Sequence, residues 1–385
     1  MEQQESIFNK IEDFLKANSK TLIHVNFELY EHINCDQDIV QISSKFAECT
    51  EIKTLNLDIA CWHVQDDQIK LLFGDLPGFK NMDNLKLNLS YNRISLSGVQ
   101  ILGVFFKKCT MLKQLLIDFY GNKIDSKLAS QLVEVISQVK SIQQLELLFG
   151  KNKIKDEETL TFCNSLQSLG NQLISLNIRL SENKISDEGA IGLGQALSEF
   201  KKLIYLDLQL QENKIGNQGV SSIARGLSKS TQIKILALIL HQNEIGNDGA
   251  QSIGEALKNL KSLTKLELWL KGNKIDDIGI LSIANSLSIC THLESLQLSL
   301  YDNYISDEGY LKFNEYLNMM PSLLNLEFSF SQSEKLLKSR DILNCKNIKV
   351  LTLNIYECKT KREKIEHKTK ALKIKRLVQL NINDY

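Results

Sequence analysis

Asparagine returns at a fixed interval through most of this chain, at Asn92, Asn122, Asn152, Asn183, Asn213, Asn243, Asn273 and Asn303, spaced by thirty residues with a single step of thirty-one. An isoleucine follows each at plus two, from Ile94 to Ile305. Apolar residues stand seven, five and three positions before it, as in Leu206, Leu208 and Leu210 or Leu266, Leu268 and Leu270. That alternation is a strand with one buried face. Self-similarity at this period excludes a set of independent globular cores. Each unit must cover its neighbour's apolar face, none is stable alone, and the result is a solenoid. Function is then to be read from a surface.

The rest of the chain fits around this array. Residues 1–20 carry Ile7, Phe8, Ile11, Phe14 and Leu15 at helical spacing and are expected to form a helix that caps the open end. Residues 21–358 form the solenoid. Its first strands, at Val25 and Leu55, keep the register but place His32 and Trp62 where the asparagine belongs. Towards the other end Ser333 and Cys358 take that place, and the strand at Leu351 follows its predecessor after only twenty-five residues. Residues 359–385 are expected to form a basic helix and a last strand, Leu380 to Ile382.

The second half of each unit is helical, as the spacing of Ile253, Leu257, Leu260 and Leu263 predicts. Ser186 and Ser306, each followed by Asp-Glu-Gly, are expected to cap the helices they precede. Gly98, Gly189, Gly219, Gly249, Gly279 and Gly309 stand at plus six, and are expected to let the helix start lie close to the sheet. The asparagine itself has a structural role available. Where the chain turns out of the strand, backbone groups lose their ladder partners, and a buried amide side chain holds both donors and an acceptor to replace them.

The motif Leu-x-Leu-x-Leu-x-x-Asn-x-Ile-x-x-x-Gly followed by an amphipathic helix resembles the leucine-rich-repeat superfamily, specifically its ribonuclease-inhibitor-like class. The resemblance covers roughly residues 21 to 358. With one more Leu-x step than the usual strand, the thirty-residue form is similar to repeats of ciliate proteins. It implies an α/β horseshoe with a parallel β-sheet on the concave face, α-helices on the convex face, and a concave surface that binds other proteins. Ran GTPase-activating protein shares the repeat class but ends in an acidic tail, where this chain ends basic.

Chemistry beyond binding has little foothold. The chain has no phosphate loop, nucleophile elbow, zinc-protease or kinase motif. The six histidines, His24, His32, His63, His241, His292 and His367, never fall at ligand spacing, and no metal or other cofactor is expected. Pairs such as Asp276-Asp277 and Asp187-Glu188 sit in the turn into the helix and are read as caps rather than acid/base dyads. Cys49, Cys109, Cys290 and Cys345 occupy equivalent positions of separate units, too far apart to be bridged, and read as small buried hydrophobes of a reducing, cytoplasmic compartment. The N-terminus lacks the positive charge and unbroken apolar run of a signal peptide, and no apolar stretch of spanning length occurs.

Two surfaces stand out. On the sheet's outward face Trp269 is expected to centre an exposed patch with Ile239, Ala237, His241, Lys271 and Tyr301, and Arg179 is expected at its rim. Clustered aromatic and aliphatic side chains within a polar rim point to a protein interface. The second surface is residues 359–376, nine Lys or Arg against Glu363 and Glu366, with Lys361, Arg362, Lys368, Lys370, Lys373, Lys375 and Arg376 as candidate polyanion contacts. An acidic protein surface fits it, whereas a formal net charge of zero for the whole chain gives no general drive towards nucleic acid. The expectation is a non-enzymatic interaction or scaffolding module, in a cytoskeletal or ciliary setting implied by the resemblance. The competing reading is a regulator of an enzyme, GTPase-activating or inhibitory.

Overall fold

The computed structural model describes residues 5–28, 36–331, 347–356 and 377–382. They fall into two compact units, Met1–Asn183 and Lys184–Tyr385. The first runs β1 (Ser6–Phe8), α1 (Ile11–Lys16), β2 (His24–Glu28), α2 (Asp36–Glu48), β3 (Thr54–Asp58), α3 (Asp66–Phe73), β4 (Asn84–Asn88), α4 (Leu96–Lys108), β5 (Gln114–Asp118), α5 (Ser126–Ser137), β6 (Gln144–Leu148), α6 (Asp156–Gln167) and β7 (Ser175–Arg179). Its seven strands pair in sequence order, all parallel.

The second unit runs α7 (Asp187–Leu197), β8 (Tyr205–Gln209), α8 (Asn217–Leu227), β9 (Ile235–Ile239), α9 (Asn247–Asn259), β10 (Lys265–Trp269), α10 (Asp277–Ser288), β11 (Ser295–Ser299), α11 (Asp307–Asn318), β12 (Asn325–Ser331), β13 (Val350–Tyr356) and β14 (Leu377–Ile382). Its strands are again parallel and in sequence order. The register joins equal repeat positions: Leu266 faces Leu236 and Leu296, and Leu268 faces Leu238 and Leu298. All six are buried, so each inward column is continuous. Burying one leucine contributes about 1.5–3 kcal/mol, and the columns are the core.

The asparagines form the ladder that their chemistry suggested. Asn273 Nδ2 donates to Leu270 O (3.0 Å) and Lys271 O (3.3 Å) of its own repeat and to Leu240 O (3.0 Å) of the preceding one. Its Oδ1 accepts from Ile245 N–H (3.0 Å), also of the preceding repeat. Asn243 repeats the pattern on Leu240, His241, Leu210 and Ile215, and Asn303 on Leu300, Tyr301, Leu270 and Ile275. In the first unit Asn92 and Asn152 do the same. Each amide therefore holds the turn it belongs to and pins it to its neighbour.

A second ladder lies at the start of the helices. The side chain that opens one helix accepts from the first amides of the next. Asp187 Oδ1 takes Gly216 and Gly219 N–H (2.7 and 2.8 Å), Asn217 takes Gly246 and Gly249, and Asn247 takes Asp276 and Gly279. This corrects the expected reason for the glycine column. A Cβ at Gly219 or Gly279 would sit 2.7 Å from the capping oxygen of the preceding repeat, so the close approach is to that cap rather than to the sheet. Ser306 caps its own helix as expected, through Gly309 N–H at 3.2 Å, and Ser186 holds the same cap position, its carbonyl accepting from Ala190 N–H at 3.1 Å.

Residues 1–20 depart from the single helix expected of them. Among the described residues of this stretch only Ile11–Lys16 is α-helical, and Ser6–Phe8 is a strand that pairs with β2. The edge of β2 carries unpaired backbone donors and acceptors, which a strand satisfies and a helix cannot. Phe8 and Phe14 then close over Phe27 and Phe46, with ring centroids 4.7–5.3 Å apart along the chain of contacts. The last strand is present, and the basic stretch before it lies outside the described residues.

Candidate binding surface

The outward side chains of β9 to β13 form a grid whose rows are set by the register. The first row reads Ala237, Glu267, Gln297, Glu327 and Thr352, and the second Ile239, Trp269, Ser299, Ser329 and Asn354. A third row, just beyond β9 to β11 and at the last residues of β12 and β13, holds His241, Lys271, Tyr301, Ser331 and Tyr356. Two serines occupy the middle of the grid, and this is why a depression exists there. Ser299 and Ser329 are buried at its bottom, and Trp269 and Asn354 stand on either side, three strand spacings apart, or about 14 Å. The hollow measures about 410 Å³.

Its two ends differ. At the far end Tyr301 and Tyr356 stack with centroids 3.7 Å apart and planes 10° from parallel, although their positions are two strands apart. They meet over Ser331, whose small side chain accepts from Asp302 N–H at 3.0 Å. Lys271 Nζ sits 4.8 Å from the Tyr301 ring, so this end is aromatic and cationic. At the near end Glu327 accepts from Gln297 Nε2 (3.2 Å) and Asn354 Nδ2 (2.9 Å). Glu267 is half-buried and, among the described residues, makes no hydrogen bond or ion pair. Burial pushes its carboxyl above the usual range, Asp207 and Glu327 add to the effect, and Lys265 only partly offsets it. His241, its ring 6.0 Å from that of Trp269, is held below the ordinary histidine value by burial and by Lys271.

The Glu267 environment has a consequence for pH. A carboxyl whose folded value is raised binds protons more readily in the native state, so its effect on stability becomes more unfavourable as pH rises from the ordinary carboxylate range through the raised value. Glu267→Gln is therefore expected to leave the protein at least as stable at neutral pH and to flatten the melting temperature against pH across that window. Melting curves of parent and variant through the acid range check it; parallel curves would show that Glu267 is not strained.

Four of the seven expected contact residues line the hollow: Trp269, Lys271, His241 and Tyr301. Trp269 is 40% exposed, but Ile239 and Ala237 are only 3% and 8% exposed, which departs from the exposed patch expected of them. Ile239 stands between the longer Gln209 and Trp269 in register. Arg179 belongs to the other unit. There it is exposed at the end of β7, and its charge partly counters the burial that raises the Asp118 carboxyl. The acidic end, Asn354 and Tyr356 were not singled out from the sequence. Reading the outward column six residues before the asparagine, Asp207-Ala237-Glu267-Gln297-Glu327, would have found the carboxylates. Among the described residues no cluster of histidine, cysteine or carboxylate could hold a metal ion, and no helix is long and apolar enough to cross a membrane.

A family model described as "Leucine Rich repeat" matches residues 175–194 and 206–224. Among solved structures, one titled "Leiomodin-1 Actin-Binding Site 2 (ABS2)" is similar at 18% identity and a TM-score of 0.31, covering 48% of this chain and 93% of its own. No curated protein matches significantly.

Proposed function

We propose that this chain, whose residues 175–194 and 206–224 match a leucine-rich-repeat model, is a non-enzymatic binding module whose second unit holds a protein partner in the depression beside Trp269. One observation carries the reading: a large aromatic side chain, 40% exposed, stands at the wall of a 410 Å³ hollow with polar groups around it. A solitary exposed tryptophan would be unremarkable. A tryptophan beside a pit that two small residues create has the form of an anchor and its socket.

Trp269→Ala is expected to leave circular dichroism and melting temperature unchanged, because the ring is not part of the leucine core. Affinity for the partner should fall at least about tenfold, or 1.4 kcal/mol. The partner is recovered by affinity capture from cells with the parent chain, identified by mass spectrometry, and titrated against both forms. Equal affinity for parent and variant would move the site elsewhere. The same capture separates a scaffolding role, cytoskeletal or otherwise, from regulation of an enzyme, since a GTPase or other enzyme among the partners would favour the latter.

A further inference from the structure

The two ends of the depression are unlike in charge, and the acidic end is incomplete. On the open face of the first unit, carboxylates have neutral partners: Asp58 accepts from Ala60 N–H and Asn88 Nδ2, Asp118 from Tyr120 N–H, and Glu146 from Asn177 Nδ2. Glu327 follows the same habit with its two amides. Glu267 does not. It stands two residues before Trp269 on the same strand and the same face, and it faces Glu327 across a single intervening strand, about 10 Å away in the pairing direction. Its carboxylate offers about four acceptor sites, all open, and Glu327 keeps about two beyond those its amides use.

We propose that this end of the depression receives an arginine side chain of the partner, its guanidinium lying on the Trp269 indole and directed to the Glu267 and Glu327 carboxylates. Two features favour arginine over other groups. The carboxylates lie on alternate strands, so one compact ammonium cannot reach both at good distance, while a planar fork of five N–H donors spans more of the gap. An aromatic face borders the same space, and a guanidinium stacks on indole while satisfying its in-plane donors elsewhere. Lys271, at the opposite end, repels a cation and confines it to the acidic side. Bringing a cation against Glu267 also relieves the mutual repulsion of Asp207, Glu267 and Glu327, a gain that no neutral side chain supplies. This inference rests on the reading of the depression as the partner site.

The test uses a flexible glycine-serine peptide carrying one central arginine, and the same peptide with citrulline, which keeps the shape and loses the charge. Both are titrated into the full chain bearing Trp62→Phe, so that emission reports Trp269 alone. The arginine peptide should shift that emission to saturation, with the citrulline peptide at least about tenfold weaker. Glu267→Gln should erase the difference while leaving the fold intact. Equal binding of the two peptides, no response to either, or an unaltered preference in Glu267→Gln would each overturn the proposal. The captured partner separates this from the broader reading. If Trp269→Ala weakens the partner and Glu267→Gln does not, the site stands and the arginine assignment falls. If the peptide preference holds while the partner ignores Trp269→Ala, the cation site stands and the partner site lies elsewhere.

Discussion

Asn273→Asp is expected to destabilise the second unit by about 3 kcal/mol or more, and Asn273→Ala by about 2 kcal/mol. The alanine variant strands Ile245 N–H and removes one of the two amide donors from each of Leu240 O and Leu270 O, which keep only Asn243 and Asn303. The aspartate variant does worse although it is nearly isosteric, because it keeps the acceptor for Ile245 and replaces the donor by an oxygen facing three carbonyls. A buried charge against acceptors alone is costlier than a missing side chain. Urea unfolding checks the magnitudes, and hydrogen exchange checks the mechanism, since the Ile245 amide should lose protection in the alanine variant. Order matters as much as size: an aspartate variant more stable than the alanine one would mean that the amide's donors are not what holds the turn.

Gly226→Ala is expected to cost about 3 kcal/mol, with the opposite sign to helix propensity. Alanine in a helix interior ordinarily gains about 1 kcal/mol over glycine. Here α7 and α8 lie almost backbone to backbone. A Cβ on Gly226 would strike the Gly194 carbonyl oxygen and come within 3.0 Å of Leu197 Cβ, and one on Gly194 would strike the Ser222 backbone. Neither neighbour is the movable tip of a side chain. Gly246→Ala is the control, because its nearest atoms are at 3.3 Å and belong to the Asn217 side chain. A stabilised Gly226→Ala would contradict the close contact of the two helices.

The inward half of this protein was legible because it repeats. Strand register, buried leucines, the asparagine ladder and the helical return all follow from spacing alone, and the described residues bear them out. What the spacing hid were contacts made between units rather than within one. Asp187 and Asn217 look like the first residues of their own helices, yet they cap the next helix along, and only the structure reveals that offset. The left-handed turn before each asparagine was equally silent, because glycine marks it only at Gly121 and Gly272 while Tyr91, Lys151, Glu182, Glu212, Gln242 and Asp302 adopt it unaided. The outward face was legible in part. Period two put Trp269 on the open face, but the same rule exposes Ile239, which is only 3% exposed between Gln209 and Trp269. The hollow was missed because two serines make it, and a small residue carries no signal in a search for conspicuous ones.

Trp269 emission gives the most direct test of a partner site on this face. The chain has two tryptophans, and Trp62 is only 9% exposed, so Trp62→Phe leaves Trp269 as the one reporter on the depression. Titrating that variant with the partner recovered from cells should shift the emission to shorter wavelength, saturating with the same affinity as a binding assay that does not depend on fluorescence. A partner that binds with full affinity while the emission stays unchanged would contradict the account.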